Sequence, residues 1–237
     1  MDDDRLWPGG PVLQQPKSVK ITTDTVLLAD FAQIRDGQKG VDLGCSSGAI
    51  MILLMHRETG LRMTGLEIDQ TALKMAESNL RINDMEGRAN LVFGDMRKTS
   101  TELPNAGFDF VISNPPYFTP GIGIRSPVAE RAAARSGESC STEDICRIAS
   151  RLCRSGGKAF FSYRPERLIT LLTLMKAFRL QPKRLRFVHH NPAAKASVVL
   201  VEGRKDGKES LSVEAPLILC GEDGTESIEY RRIYHRE

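Results

Sequence analysis

From Lys39 onward, short β-rich runs alternate with amphipathic helical stretches, which restricts the chain to an α/β design with a parallel sheet covered on both faces. Residues 39–43, 62–67, 90–93 and 108–113 read as strands. Between the first three, 48–57 and 69–83 read as helices; in the second, Ala72, Leu73, Ala76 and Leu80 fall at helical spacing behind Asp69 as N-cap. A helix over 142–153 leads through Gly156 and Gly157 into a strand over 158–163. Pro165 opens another helix ending near Phe178. Strands over 184–189 and 197–202 bring the expected sheet to about seven strands.

With 237 residues, 41% hydrophobic and 27% charged, the chain has the composition of a folded domain able to bury a core. No apolar run approaches the ~20 residues of a membrane span, and the acidic Met1-Asp2-Asp3-Asp4 start is unlike a secretory signal. The cysteines (Cys45, Cys140, Cys146, Cys153 and Cys220) are odd in number and form no C-x-x-C pair. Neither a disulfide framework nor a zinc site is expected, and a reducing cytoplasm is the simplest setting. His189-His190 lacks accompanying carboxylate or thiol ligands and reads as a strand end, so no metal is expected.

Asp42-Leu43-Gly44-Cys45-Ser46-Ser47-Gly48 runs from a strand through a glycine turn into a helix. Glycine at such a turn lets a ligand approach the backbone closely. Glu67 closes the second strand, where a carboxylate can accept from both ribose hydroxyls of an adenosine. Asp95 follows the third, placed to accept from an adenine amino group while Met96 packs on the ring. Any one of these acids could be a helix cap; three in series at strand ends point to a nucleoside. With no G-x-x-x-x-G-K-[ST] and no G-x-G-x-x-G, a nucleoside without phosphates fits better than ATP or NAD.

The fourth strand ends in Asn114-Pro115-Pro116-Tyr117, a rigid turn that continues neither strand nor helix. It resembles the Asn-Pro-Pro-Tyr motif of S-adenosylmethionine-dependent amino-group methyltransferases. In that chemistry Asn114 Oδ1 and the Pro115 carbonyl accept from a planar NH₂ group and favour its sp³ form, while Tyr117 stacks on the base.

A closer resemblance covers nearly the whole chain. Gln15-Pro16, Thr22 to Phe31, Ala133-Ala134-Arg135, Arg164 to Leu168 and Pro182 to Arg186 are similar to segments of bacterial valine-tRNA adenine-37 N6-methyltransferases. The resemblance implies a Rossmann-like class I methyltransferase with a seven-stranded, mostly parallel sheet. It implies a lead-in over 1–38 packed on a catalytic domain over 39–237, acting as a monomer on a tRNA anticodon loop. It assigns catalysis to Asn114, Pro115, Pro116 and Tyr117. S-adenosylmethionine would be bound by Thr23, Asp24, Asp42, Gly44, Gly48, Glu67, Ile68, Asp95, Met96 and Asn114. Two positions depart from the family: Cys45-Ser46-Ser47 replaces a loop with another central glycine, and Ser136 stands where histidine is common. The rivals are a release-factor-type glutamine methyltransferase, a ribosomal-RNA guanine N2-methyltransferase, and a catalytically silent nucleoside- or RNA-binding protein.

The formal net charge of +3 is small, so the distribution of cations matters more than their sum. Arg179, Lys183, Arg184, Arg186, Lys195, Arg204, Lys205 and Lys208 cluster late in the chain, against Glu202 and Asp206. Lys183, Arg184 and Arg186 are candidates for RNA-backbone contacts, and Arg125, Arg131 and Arg135 form a second series after the Asn-Pro-Pro-Tyr motif.

Overall fold

The computed structural model describes residues 5–15, 21–98, 103–115 and 140–236. Helix α1 (Thr23–Phe31) precedes strand β1 (Lys39–Leu43), helix α2 (Ala49–Arg57), strand β2 (Arg62–Glu67) and helix α3 (Gln70–Ile82). Strands β3 (Ala89–Phe93) and β4 (Phe108–Ser113) follow, then α4 (Thr142–Leu152) and β5 (Cys153–Tyr163). A 3-10 turn over Pro165–Arg167 leads into α5 (Leu168–Ala177). The hairpin of β6 (Leu180–His189) and β7 (Ala196–Lys205) comes next. Strands β8 (Ser212–Val213) and β9 (Leu217–Ile218) and helix α6 (Ile228–Ile233) complete the described elements.

The strands lie in the order β3-β2-β1-β4-β5-β7-β6-β8, with β9 also paired to β6. β1 to β5 pair in parallel, whereas β7 runs antiparallel to both β5 and β6. β6 therefore points the same way as β5. The chain order reverses between β1 and β4, where open α/β sheets leave a crevice beyond the carboxyl ends of the strands.

Alternation along the strands builds a core on each face. Phe110, Ile112 and Phe160 join α1 and α2 on one side; Val111, Ala159 and Phe161 join α4 and α5 on the other. Phe110, Phe160 and Phe161 are fully buried, each worth roughly 1.5–3 kcal/mol in transfer free energy. Helix α3 starts at Asp69, whose carboxylate accepts from the Thr71 amide at 2.8 Å. Helix α4 starts at a capping box of Ser141 and Asp144.

Two features differ from expectation. Among the described residues the sheet has nine strands rather than seven, because β8 and β9, two residues each, add to its β6 edge. β5 begins at Cys153, so Gly156 and Gly157 lie inside a strand instead of connecting to it. A Cβ at Gly157 would sit 2.6 Å from the Asp109 carbonyl, and the β4–β5 register shifts at this point. Glycine is needed here for close backbone approach at an irregularity. No helix among the described residues is long and apolar enough to cross a membrane.

Candidate active site

The carboxyl ends of β1, β2, β3 and β4 bring Gly44, Glu67, Asp95 and Asn114 to one edge of the sheet. The last backbone partners of β1 and β4 are Asp42 and Ile112. One step further, Ser113 Oγ donates to the Leu43 carbonyl at 2.7 Å, and beyond that rung the two strands separate.

The glycine loop has a fixed shape. Gly44 and Gly48 sit at φ +79° and +80°, the left-handed region in which glycine avoids Cβ strain. The Gly44 amide donates to the Leu66 carbonyl at 2.8 Å, tying the loop to β2. Among the described residues a Cβ at Gly44 would meet only Met96 Cε, 3.9 Å away, so they leave open space in front of the loop. Asn79, fully buried on α3, donates to the Ser47 carbonyl at 3.0 Å and accepts from the Gln14 amide at 2.9 Å. The lead-in thereby braces the loop.

Glu67 is a buried carboxylate that accepts three amides: Ser46 at 2.8 Å on Oε2, Ile68 at 2.9 Å and Asp69 at 2.8 Å on Oε1. A carboxylate offers about four acceptor positions, so acceptor capacity remains for a further donor. Burial pushes the Glu67 carboxyl up, against the pull of these amides. Ile68 belongs to this turn through its amide.

Asp42 is the most exceptional group in the site. Its side chain is buried beneath the loop, and neither carboxylate oxygen has a hydrogen-bond partner among the described residues. Burial, reinforced by the neighbouring charge of Glu67, pushes its carboxyl up to about 8. Buried polar groups are almost always paired, so an orphaned carboxylate calls for a cationic or donating ligand. Cys45 beside it is buried, and burial pushes its thiol well above the ordinary value, which leaves it an inert small residue.

Asp95 is placed as expected at the end of β3, but its carboxylate is engaged. Arg97 Nε lies 3.0 Å from both oxygens and Nη2 lies 2.6 Å from Oδ2. The Arg97 hydrogen bond holds the Asp95 carboxyl below its ordinary value. Met96 packs against the core cluster of Leu43 and Leu66.

Asn114 lies between two elements far apart in sequence. Its Nδ2 donates to Thr25 Oγ1 at 3.1 Å, in the first turn of α1 beside Thr23 and Asp24. Its Oδ1 accepts from Ser162 Oγ, fully buried near the end of β5. Pro115 is buried next to it, whereas Pro116 and Tyr117 lie outside the described residues. Thr25 lies in the Thr22–Phe31 segment of the resemblance without a role assigned to it, and Ser162 has no motif signal. Only a hydroxyl in an otherwise apolar buried strand, Phe160-Phe161-Ser162, hints at a polar partner.

The basic residues fall differently from expectation. Because β6 runs parallel to β5, Lys183 lies near the amino-terminal edge, opposite Asn114, as do Arg204 and Lys205 at the end of β7. Lys183 Nζ donates to Ser210 Oγ at 2.9 Å. Arg184 stacks on Phe31 at 3.8 Å and pairs with Glu202 at 2.9 Å and Glu214 at 3.0 Å. Arg186 pairs with Glu229 at 2.7 Å. The latter two are interior ties between elements. Arg125, Arg131 and Arg135 lie outside the described residues.

The model of the methyltransferase small domain matches residues 18–141. A tRNA1(Val) (adenine(37)-N6)-methyltransferase of Porphyromonas gingivalis is 30% identical over 194 residues, covering 79% of this chain and 75% of that protein. The chain belongs to this methyltransferase family. An Actinobacillus succinogenes protein of the same name is 32% identical to the methyltransferase over 155 residues, covering 65% of this chain and 64% of that one. Among solved structures, a predicted O-methyltransferase from Agrobacterium tumefaciens superposes with TM-score 0.74 at 23% identity, over 90% of this methyltransferase and 96% of that chain. A geranyl diphosphate C-methyltransferase from Streptomyces coelicolor gives 0.57 at 13% identity over 76% and 79%. These two likenesses concern the class I methyltransferase fold that the sequence suggests.

Proposed function

We propose that this chain transfers a methyl group from S-adenosylmethionine to the exocyclic amine of an adenine in tRNA, adenine 37 in the anticodon loop of a valine tRNA. The observation that carries the proposal is the convergence of an orphaned buried acid, a glycine loop and an Asn-Pro turn at one sheet edge. Family membership selects the substrate, because the relatives carry that activity in their names.

The residues fit the cofactor. Asp42, buried with no hydrogen-bond partner among the described residues, can give up its proton to face a cationic ligand; Gly44 leaves room for one; Glu67 retains acceptor capacity for a ribose hydroxyl. Thr23 and Asp24 begin α1 beside Thr25, which puts them near Asn114. Asp95 would reach an adenine amino group only by sharing its carboxylate with Arg97. When bound, the sulfonium would supply an electrophilic methyl group, its S–C bond breaking to leave a neutral thioether.

Asn114 Oδ1 and the Pro115 carbonyl accept from the two hydrogens of the target NH₂. Those bonds localise the nitrogen lone pair and stabilise the positive charge that develops as the N–C bond forms. Methylation makes the nitrogen acidic, so a proton leaves to solvent without a strong base, and the chemistry requires no metal. The base must be unstacked to arrive, which an anticodon loop allows.

On the site-side edge, Arg167 on the 3-10 turn and exposed Lys195 in the β6–β7 hairpin are better placed than Lys183 to meet the RNA backbone. The proposed setting is the cytoplasm, with the chain acting as a monomer. Incubating the protein with tRNA and labelled cofactor, then identifying methylated nucleosides by mass spectrometry, tests the reading. Label in methylated adenine supports it, and label in guanine or none at all overturns it.

A further inference from the structure

Resting on the function just proposed, we infer that Arg97 is a specificity-determining residue of the cofactor site, whose guanidinium competes with the adenine amino group for the Asp95 carboxylate. The pair thereby loosens cofactor binding. It also weakens selection for adenine over a base that carries oxygen in place of that amine.

Chemistry fixes the direction of these bonds. A guanidinium only donates, and an ionised carboxylate only accepts. Arg97 Nε lies 3.0 Å from both Asp95 oxygens, Nη2 lies 2.6 Å from Oδ2, and the Arg97 amide donates to Oδ1 at 2.9 Å. These bonds hold the Asp95 carboxyl below its ordinary value, so it is ionised at neutral pH. A carboxylate has about four acceptor positions, and the contacts with Arg97 draw on both oxygens. An adenine amine is a neutral donor. At either oxygen it meets a charged donor that approaches as a planar fork, the stronger of the two partners.

The competition is local to the cofactor crevice. Asp95 follows the end of β3, on the same sheet edge as Gly44 and Glu67. Met96, between the two partners, brings its Cε to 3.9 Å from where a Cβ on Gly44 would lie, so this turn borders the space in front of the loop. The Arg97 and Asp95 side chains are only 19% and 13% exposed, which limits screening of the pair by salt. The charge of Asp144, in the first turn of α4, also acts on Arg97, so a guanidinium displaced from Asp95 still faces an anion. A site that keeps a polar group unpaired strongly rejects an analogue lacking the matching group. Asp95 is paired before cofactor arrives, so that penalty is missing, and a carbonyl oxygen at the same place would meet the Arg97 donor.

Titration calorimetry with two product-type ligands tests this without turnover. S-adenosylhomocysteine carries the adenine amine; S-inosylhomocysteine has a carbonyl oxygen in its place. In Arg97→Ala the first should bind severalfold tighter and the second more weakly, so that the ratio of their Kd values rises about tenfold or more. Arg97→Lys keeps the charge without the fork and should raise the ratio by a smaller factor; it decides alone if Arg97→Ala does not fold. In an Asp95→Ala background, Arg97→Ala should leave the ratio unchanged, because the contested acceptor is gone. An unchanged ratio in the Arg97 variants, or weaker binding of S-adenosylhomocysteine by Arg97→Ala, overturns the competition. A wild-type protein that binds neither ligand overturns the cofactor assignment instead, so the two failures are distinct.

Discussion

Glu67 Oε2 accepts from the Ser46 amide at 2.8 Å, so the acid ending β2 holds the middle of the glycine loop that leaves β1. Ser46 itself sits at φ +50°, a conformation that non-glycine residues rarely adopt without support. The carboxylate therefore shapes the loop as well as offering an acceptor to a ligand.

Glu67→Gln should consequently damage cofactor binding through both routes. One carboxamide end is a donor and would face an amide N–H. Affinity for S-adenosylmethionine should drop about tenfold or more, since bonds to a charged acceptor are worth ~1.5–3 kcal/mol each. Titration calorimetry reads this directly, and an unchanged isotherm would confine Glu67 to capping the turn before α3.

Asn114→Ala should separate binding from chemistry. Losing an acceptor that acts in the transition state should lower kcat by about 10² or more while cofactor affinity stays close to wild type. Near-normal turnover would remove Asn114 from the chemistry.

Asp42 makes stability depend on pH in an unusual sense. Its carboxyl is raised from the ordinary 3.8 to about 8 in the folded protein, so between those values the folded state binds a proton that the unfolded state does not. Stability should then fall as pH rises from about 4 towards 8, and level off above. Asp42→Asn removes this dependence, so in cofactor-free protein its stability advantage over wild type should grow across that range while cofactor affinity drops. Urea midpoints against pH would show it, and parallel curves for the two proteins would count against a protonated Asp42.

The two edges of the sheet should differ in their response to tRNA. Arg167→Gln and Lys195→Gln should raise KM for tRNA and make the salt dependence of binding shallower by about 0.7–0.9 in log–log slope per lost contact. Lys183→Gln, at the opposite edge, should change neither. A larger effect from Lys183 would move the RNA to the amino-terminal side.

The central strands were legible in the sequence as short β-rich runs alternating with amphipathic helical stretches; β1, β2 and β4 have the bounds expected of them. Asp42, Glu67 and Asp95 were legible because the end of a strand also fixes the edge of the sheet. β8 and β9 were not, since two residues carry no period. The edge of the sheet on which the basic cluster lies was not legible, for a topological reason. Its edge depends on the direction of β6, which follows from β7 inserting between β5 and β6, and no local pattern reports that insertion. The contacts of Thr25 and Ser162 were not legible for a similar reason: both are made with Asn114, distant in the chain from either.

The rung from Ser113 Oγ to the Leu43 carbonyl has a dynamic consequence. It makes the floor of the crevice the final step of the central ladder, so the floor can open only when that ladder does. Amides of β1 and β4 beneath it should therefore exchange with deuterium at rates set by global unfolding, whereas the Gly44–Gly48 turn above can exchange through local opening. Chemistry at Asn114 would then proceed on a surface that is rigid on the timescale of turnover, with adaptation to ligand confined to the turn and to the elements facing it.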